Sequence, residues 1–222
     1  MRPVIARTAA PEADAAPAGL LSPDEASLLA GYTLPKRRKD WLAGRMAAKQ
    51  AVRACLKDAG WDLSDDRIEV LKDESGAPLL RLPEGTPRPA ISISHSRAGG
   101  AAAADLSGRP VGIDLEAVAP RARSFVETVL HPDERADEPD AREVTRLWTL
   151  KEAVAKLLGT GLSIGMWDIR FVGPERKLSF HGKALERWTE LGRPAIVHES
   201  RFEGDDVLSL AYTALPSGGK NA

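Results

Sequence analysis

Residues 91–116 read ISISHSRAGGAAAADLSGRPVGIDLE. Ile91–Ser94 has the alternation and β-branched content of a strand. The small residues of AGGAAAADL at 98–106 fit a tightly packed strand or a weak helix, and the neighbouring strands favour the first. Ser107-Gly108-Arg109-Pro110 is a turn, and Val111–Glu116 starts the next strand. The chain on either side of this turn has a similar order, a long helix followed by short strands. The 222 residues therefore suggest a pseudo-duplicated α+β chain, with an N-terminal half at 1–107 and a C-terminal half at 108–222.

Working back from the turn, Leu79–Leu82 and Ile68–Lys72 read as strands. A helix is expected from about Lys36 to Ala59, with Gly60 at its cap. Its apolar side carries Val52, Cys55, Leu56 and Ala59. Ser22-Pro23-Asp24-Glu25 is a capping box that opens a shorter helix ending near Gly31. Residues 8–19 are rich in Ala and Pro and read as a loop, and Val4 and Ile5 start a strand. Working forward, Ser124 to Glu127 and Asp140 to Glu143 are two more capping boxes. The second helix runs to Leu158 and stops at Gly159, with Leu147, Leu150, Val154, Leu157 and Leu158 as its core stripe. Ile169–Val172, Leu178–Phe180, Ile196–Phe202 and Val207–Thr213 read as strands.

Hydrophobic residues make up 43% and charged residues 28% of the chain, which excludes global disorder. Lys and Arg number 31 against 32 Asp and Glu, so the chain has no charge excess for bulk nucleic-acid binding. The single cysteine, Cys55, excludes an intramolecular disulfide or a cysteine zinc cluster and suits a reducing compartment. No apolar run has the length of a membrane span, and no apolar signal core precedes Glu12 and Asp14. A cytoplasmic protein is expected.

Four stretches carry chemistry. In the strand at 112–116, Asp114 and Glu116 share one face, with Cα atoms roughly 6.6 Å apart, within reach of one hard cation. The same pair also fits an exposed strand edge. In WTLKEAVAK at 148–156, Trp148, Glu152 and Lys156 line one helix edge. Glu152 could add a third carboxylate and Lys156 could neutralise a phosphate, although a surface Glu–Lys pair has the same spacing. Ser94 and His95 in SISHS could donate to a phosphate. In AGRMAAK at 43–49, Arg45 and Lys49 join Arg38 on a basic helix face that suits a phosphate. Gly76-Ala77-Pro78 is a hairpin turn. His131, His181 and His198 lack metal-ligand spacing and are read as structural or surface residues. No Walker loop, dinucleotide fingerprint or G-x-S-x-G elbow occurs.

In this order, AGRMAAK, DESGAP, ISISHS, VGIDLE and LWTLKEAVAKLLGTGL resemble the 4′-phosphopantetheinyl transferase superfamily, specifically its large pseudo-dimeric, Sfp-like class. The resemblance runs from about Leu20 to Thr213. It implies an α+β fold of two similar halves related by a pseudo-two-fold axis, with coenzyme A between them and Mg²⁺ on its pyrophosphate. It implies Asp114, Glu116 and Glu152 as metal ligands, with Asp114 also on the coenzyme A side. Arg45 and His95 match contacts to the nucleotide phosphates, and Lys49 is expected beside them. Ser94, Gly76 and Pro78 match the nucleotide pocket, and Lys156 matches a pyrophosphate contact.

The reaction implied is transfer of the phosphopantetheine arm to a serine of an apo acyl or peptidyl carrier protein, with release of adenosine 3′,5′-bisphosphate. Fatty-acid, polyketide and nonribosomal-peptide carriers are all open. Glu152 is the expected base and Lys156 the group on the leaving phosphate, in a monomer without nucleic-acid or membrane partners. Ala77 departs from the basic residue often found in that turn, and Arg38 or Lys39 could compensate. Residues 8–19 have no family counterpart.

Overall fold

The Ser22 hydroxyl accepts from the Glu25 backbone N–H at 3.2 Å, and the Glu25 carboxylate accepts from the Ser22 N–H at 3.0 Å. The expected capping box therefore opens helix α1 (Pro23–Ala30). In this computed structural model, residues 2–97, 99–135, 140–173 and 175–215 are described. Ala98, the first residue of the small-residue strand segment, lies outside them.

The first half contains β1 (Val4–Thr8), α1, the long helix α2 (Pro35–Lys57), the hairpin β2 (Glu69–Lys72) and β3 (Pro78–Arg81), and the hairpin β4 (Ala90–Ser96) and β5 (Gly99–Asp105). The second half contains β6 (Val111–Ala117), α3 (Arg123–Val129), the long helix α4 (Ala141–Leu157), the hairpin β7 (Ile169–Val172) and β8 (Lys177–Phe180), α5 (Gly182–Glu190), and the hairpin β9 (Ile196–Glu203) and β10 (Asp206–Thr213). Each half builds one three-stranded antiparallel sheet, in the orders β1-β5-β4 and β6-β10-β9. In both, the first strand pairs with the last. The α+β fold of two similar halves is thus written into the topology.

Small residues let each long helix sit close on its sheet. A Cβ on Gly100 would lie 2.1 Å from the Ala43 carbonyl oxygen of α2, and one on Gly112 would lie 1.8 Å from the Ala153 carbonyl oxygen of α4. The run Ala101–Ala104 is completely buried. Its side chains alternate between two cores, with Ala102 and Ala104 packed on the α2 side. Ala101 and Ala103 pack with Ile113, Leu115, Leu208 and Leu210 in a core shared by the two sheets.

Ser92 and Ser94 accept from the Ile113 and Leu115 N–H groups at 3.1 and 3.2 Å, joining β4 to β6 through side chains. Elsewhere the halves are tied by ion pairs from Arg2 to Glu199 and from Arg7 to Glu203 and Asp206.

Two expected capping boxes are corrected, and two further elements form. Ser124 does not cap α3, which begins at Arg123 after Ala122, and Glu127 pairs with Arg123 at 2.8 Å instead. A further capping box forms at His131–Glu134. Asp140 does cap α4, but Glu143 bonds to Arg146 and Arg176 rather than returning to the cap. Helix α5 (Gly182–Glu190) is a further element. Its signal was Ala184, Trp188 and Leu191 at helical spacing, all of which pack on the second core.

Candidate active site

The close approach at Gly112 brings α4 over β6, and Asp114 and Glu116 follow on the same strand face. This face is not an exposed edge, because Asp114 is buried beneath the helix. From α4, Lys156 Nζ donates to Asp114 Oδ1 at 2.7 Å and to the Ile113 carbonyl at 3.1 Å. Ser94 Oγ donates to the same Asp114 oxygen at 2.8 Å. Asp114 Oδ2 and Glu152 Oε1 are buried without a hydrogen-bond partner.

Glu116 accepts from Arg121 at 3.3 Å and from the Trp148 indole. Arg121 stacks over Phe125 at 5.1 Å, and Phe125 meets Trp148 edge-on at 5.3 Å. Arg121 has no readable signal in the sequence.

Burial raises the pKa of Glu152 to about 7, with further upward pushes from Asp114 and Glu116 and a downward pull from Lys156. Burial, then Asp114, raises Glu116. The three carboxylates therefore share one electrostatic environment. Among the described residues, no three His, Cys, Asp or Glu side chains form a group that could hold a metal ion. Asp114 is drawn to Lys156 and Glu116 to Arg121. Two carboxylate oxygens, Asp114 Oδ2 and Glu152 Oε1, are nonetheless buried without a partner, and oxygens of this kind suit a hard divalent cation.

On the facing half, α2 presents Arg45, 5% exposed, with its guanidinium 4.6 Å from the Trp41 ring centroid. Its Nε and Nη2 are buried without hydrogen-bond partners, and Glu25 is 3.9 Å from Nε. Burial lowers the Arg45 pKa against the pull of Glu25. His95, at the end of β4, is exposed at the rim. Arg45 and His95 line a pocket of about 180 Å³ together with Trp41, Lys72, Gly76 and Pro78.

Asp73 shapes the turn that carries Gly76 and Pro78. Its carboxylate accepts from the Ser75 hydroxyl at 2.7 Å and from the Ser75 and Ala77 N–H groups at 2.9 Å. These bonds, the hydroxyl's above all, hold Asp73 below the usual carboxylate range. The same turn borders a cleft of about 630 Å³ that reaches Lys156, Gly159, Thr160 and Gly161 in the second half. The pocket and the cleft share Gly76, Pro78 and Ile93, so they adjoin, with Arg45 on one side and Lys156 on the other.

Two expected site residues lie elsewhere. Lys49 is fully buried and paired with Glu25 at 2.5 Å, away from the groove. Helical spacing correctly put it on the face of Arg45 but could not reveal a carboxylate 24 residues earlier that draws it inward. Ser94 is buried between Asp114 and the Leu115 N–H, and Ser92 lines the cleft instead. Arg38 does not compensate for Ala77, because it bonds to the carbonyls of Asp14, Leu29 and Tyr32. Lys39 bonds to the Glu12 carbonyl, so both tie residues 12–14 to α2. His131 serves in its cap, His181 precedes α5, and His198 packs on Phe171.

Residues 110–193, which include Asp114, Glu116, Glu152 and Lys156, match the family model of the 4′-phosphopantetheinyl transferase superfamily. A holo-[acyl-carrier-protein] synthase of Streptococcus agalactiae is 36% identical over 77 residues, covering 35% of this chain and 65% of that protein. The 4′-phosphopantetheinyl transferase psf-1 of Bacillus pumilus is 30% identical over 138 residues, covering 60% of this chain and 55% of that protein. The chain thus spans less than two thirds of the length of either relative. The crystal structure of the holo-[acyl-carrier-protein] synthase from Neisseria meningitidis aligns with 48% of this chain and 98% of its own, at 23% identity and a TM-score of 0.39. Arg45, Gly76 and His95 lie outside the residues matched, and the cleft beside the Gly76 turn reaches Lys156 inside them.

Proposed function

We propose that the protein transfers the 4′-phosphopantetheine arm of coenzyme A to a serine hydroxyl of an apo acyl or peptidyl carrier protein, releasing adenosine 3′,5′-bisphosphate. The observation that carries this reading is the groove itself. It runs from a buried arginine with unsatisfied donors in one half to Lys156 in the other, and Lys156 is bonded to the buried Asp114 carboxylate. Such a groove suits a long substrate with phosphates at two places. The superfamily match and the names of the relatives support the same reaction.

Arg45 and His95 bind the nucleotide phosphates, with the 3′-phosphate at Arg45, and Gly76 and Pro78 line the nucleotide. Lys156 contacts the pyrophosphate. Asp114, Glu116 and Glu152 would hold Mg²⁺, which when bound supplies positive charge against the repulsion between a nucleophile and the pyrophosphate oxygens. Glu152, with its pKa near 7, takes the proton from the carrier serine hydroxyl. The serine oxygen bonds to the pantetheine-side phosphorus as the bridging P–O bond breaks. The electron pair leaves on the 5′-phosphate of the adenosine bisphosphate, where the Lys156 ammonium stabilises it.

Both walls of the groove come from one chain, residues 1–107 and 108–222, so the protein works as a monomer. The test is incubation with coenzyme A, Mg²⁺ and a panel of apo carrier domains, read by intact mass. One or more carriers should gain the arm. Coenzyme A binding without a mass gain on any carrier would point to a binding module, and phosphate release alone to a hydrolase.

A further inference from the structure

Two buried ion pairs occupy matching places in the two halves. Glu25 belongs to Ser22-Pro23-Asp24-Glu25 and Glu134 to His131-Pro132-Asp133-Glu134, and both close capping boxes. Each carboxylate accepts from the N–H of its own cap residue with one oxygen and from a strand N–H with the other. For Glu25 the partners are Ser22 and Val70, both at 3.0 Å. For Glu134 they are His131 and Phe171, both at 2.8 Å.

Each carboxylate also holds a lysine of the long helix at 2.5 Å, Lys49 for Glu25 and Lys151 for Glu134. Each ammonium then donates to two carbonyls. Lys49 reaches those of Asp65 and Ile68 at 2.8 and 2.6 Å, and Lys151 those of Val129 and Met166 at 2.8 and 2.9 Å. Asp65 and Met166 each open the short 3-10 turn that leads into the hairpin. All four side chains are inaccessible to water, and none lines the groove.

An ammonium has three hydrogens, so each lysine is fully satisfied. Neither long helix can slide or rotate without leaving a buried charge unpaired. The neighbours of the two lysines differ. Arg45 lies one turn before Lys49, and its Nε is 3.9 Å from the same Glu25. Glu152 directly follows Lys151 in α4.

We propose that the two pairs are a duplicated positioning device. Glu25–Lys49 aims Arg45 into its pocket, and Glu134–Lys151 fixes the turn of α4 that holds Glu152 beside Asp114 and Lys156. The roles of Arg45 and Glu152 in this inference rest on the function proposed above.

Glu25→Gln and Glu134→Gln keep the shape and one acceptor while removing the charge. Coenzyme A binding is measured calorimetrically without divalent cation, and arm transfer by carrier mass. Glu25→Gln should weaken coenzyme A binding tenfold or more and leave the maximal transfer rate within threefold. Glu134→Gln should lower the maximal rate tenfold or more and leave coenzyme A affinity within threefold. If either variant fails to fold, Glu25→Gln/Lys49→Met and Glu134→Gln/Lys151→Met remove both charges and should show the same split.

Folded variants with one shared kinetic pattern, or with wild-type kinetics and only a lower melting temperature, would overturn the proposal. A wild-type protein that binds coenzyme A but modifies no carrier would overturn the functional reading instead. The binding comparison then still decides the Glu25 pair: unchanged affinity in Glu25→Gln refutes it.

Discussion

Lys156 and Asp114 form a 2.7 Å ion pair from α4 to β6, and the Ser94 hydroxyl bonds to the same carboxylate oxygen. The pair stands where the two sheets and the second long helix meet, and it leaves the other Asp114 oxygen without a partner. One carboxylate thus holds the architecture with one oxygen and has the second free for a cation.

Asp114→Asn should therefore cost both stability and turnover. Charge-assisted bonds contribute about 1.5–3 kcal/mol, and Lys156 is a quarter exposed, so we expect a loss of about 1–2 kcal/mol in chemical denaturation after allowing for screening. Arm transfer should fall at least about 100-fold, far beyond what that destabilisation explains. Near-normal transfer at ordinary Mg²⁺ would remove Asp114 from the metal site.

Glu152 gives a pH signature in the protein without divalent cation. Its folded pKa of about 7 lies above the ordinary 4.5, so the folded state holds the proton longer than the unfolded chain. Stability is then lost as pH rises from about 4.5 to about 7. Glu152→Gln should remove that loss and be more stable than wild type by about 2–3 kcal/mol at pH 8. Parallel denaturation curves at pH 5 and 8 check this. An equal wild-type-to-variant difference at both pH values would contradict it.

Arg45→Met should separate the two ends of coenzyme A. Loss of a charge-assisted phosphate contact corresponds to about 10- to 150-fold in affinity. Dephospho-coenzyme A should bind wild type weakly and be little affected by the substitution. Equal weakening of both ligands would place Arg45 away from the 3′-phosphate.

Gly112→Ala tests the close approach that brings α4 onto the carboxylates. The new methyl would fall 1.8 Å from the Ala153 carbonyl oxygen, which requires the helix to shift. A loss of about 3 kcal/mol or more is expected, together with loss of arm transfer. A wild-type melting curve would show that the helix can move aside freely.

Much of this architecture is legible locally. The Ser22 box, the apolar stripe of α4 and the alternation of VGIDLE depend on residues within a few positions of each other, and each formed as read. The depth of Ser94 and Lys49 is not legible locally, because it depends on partners far along the chain. Asp114 lies 20 residues after Ser94, and Glu25 lies 24 before Lys49. The alternation of Ser92, Ser94 and Ser96 marked one strand face, but nothing local says that this face joins another sheet. Ser124 shows the opposite failure. Its spacing to Glu127 fits a capping box, but Arg123 bonds to that glutamate and the cap falls two residues earlier, at Ala122.

The most direct test follows both products of one reaction. Wild-type protein, coenzyme A, Mg²⁺ and an apo carrier are mixed, and carrier mass and adenosine 3′,5′-bisphosphate are quantified together over time. The account predicts one bisphosphate released for each arm gained, with both abolished by replacing the carrier serine with Ala. Bisphosphate released while the carrier mass stays unchanged would contradict it.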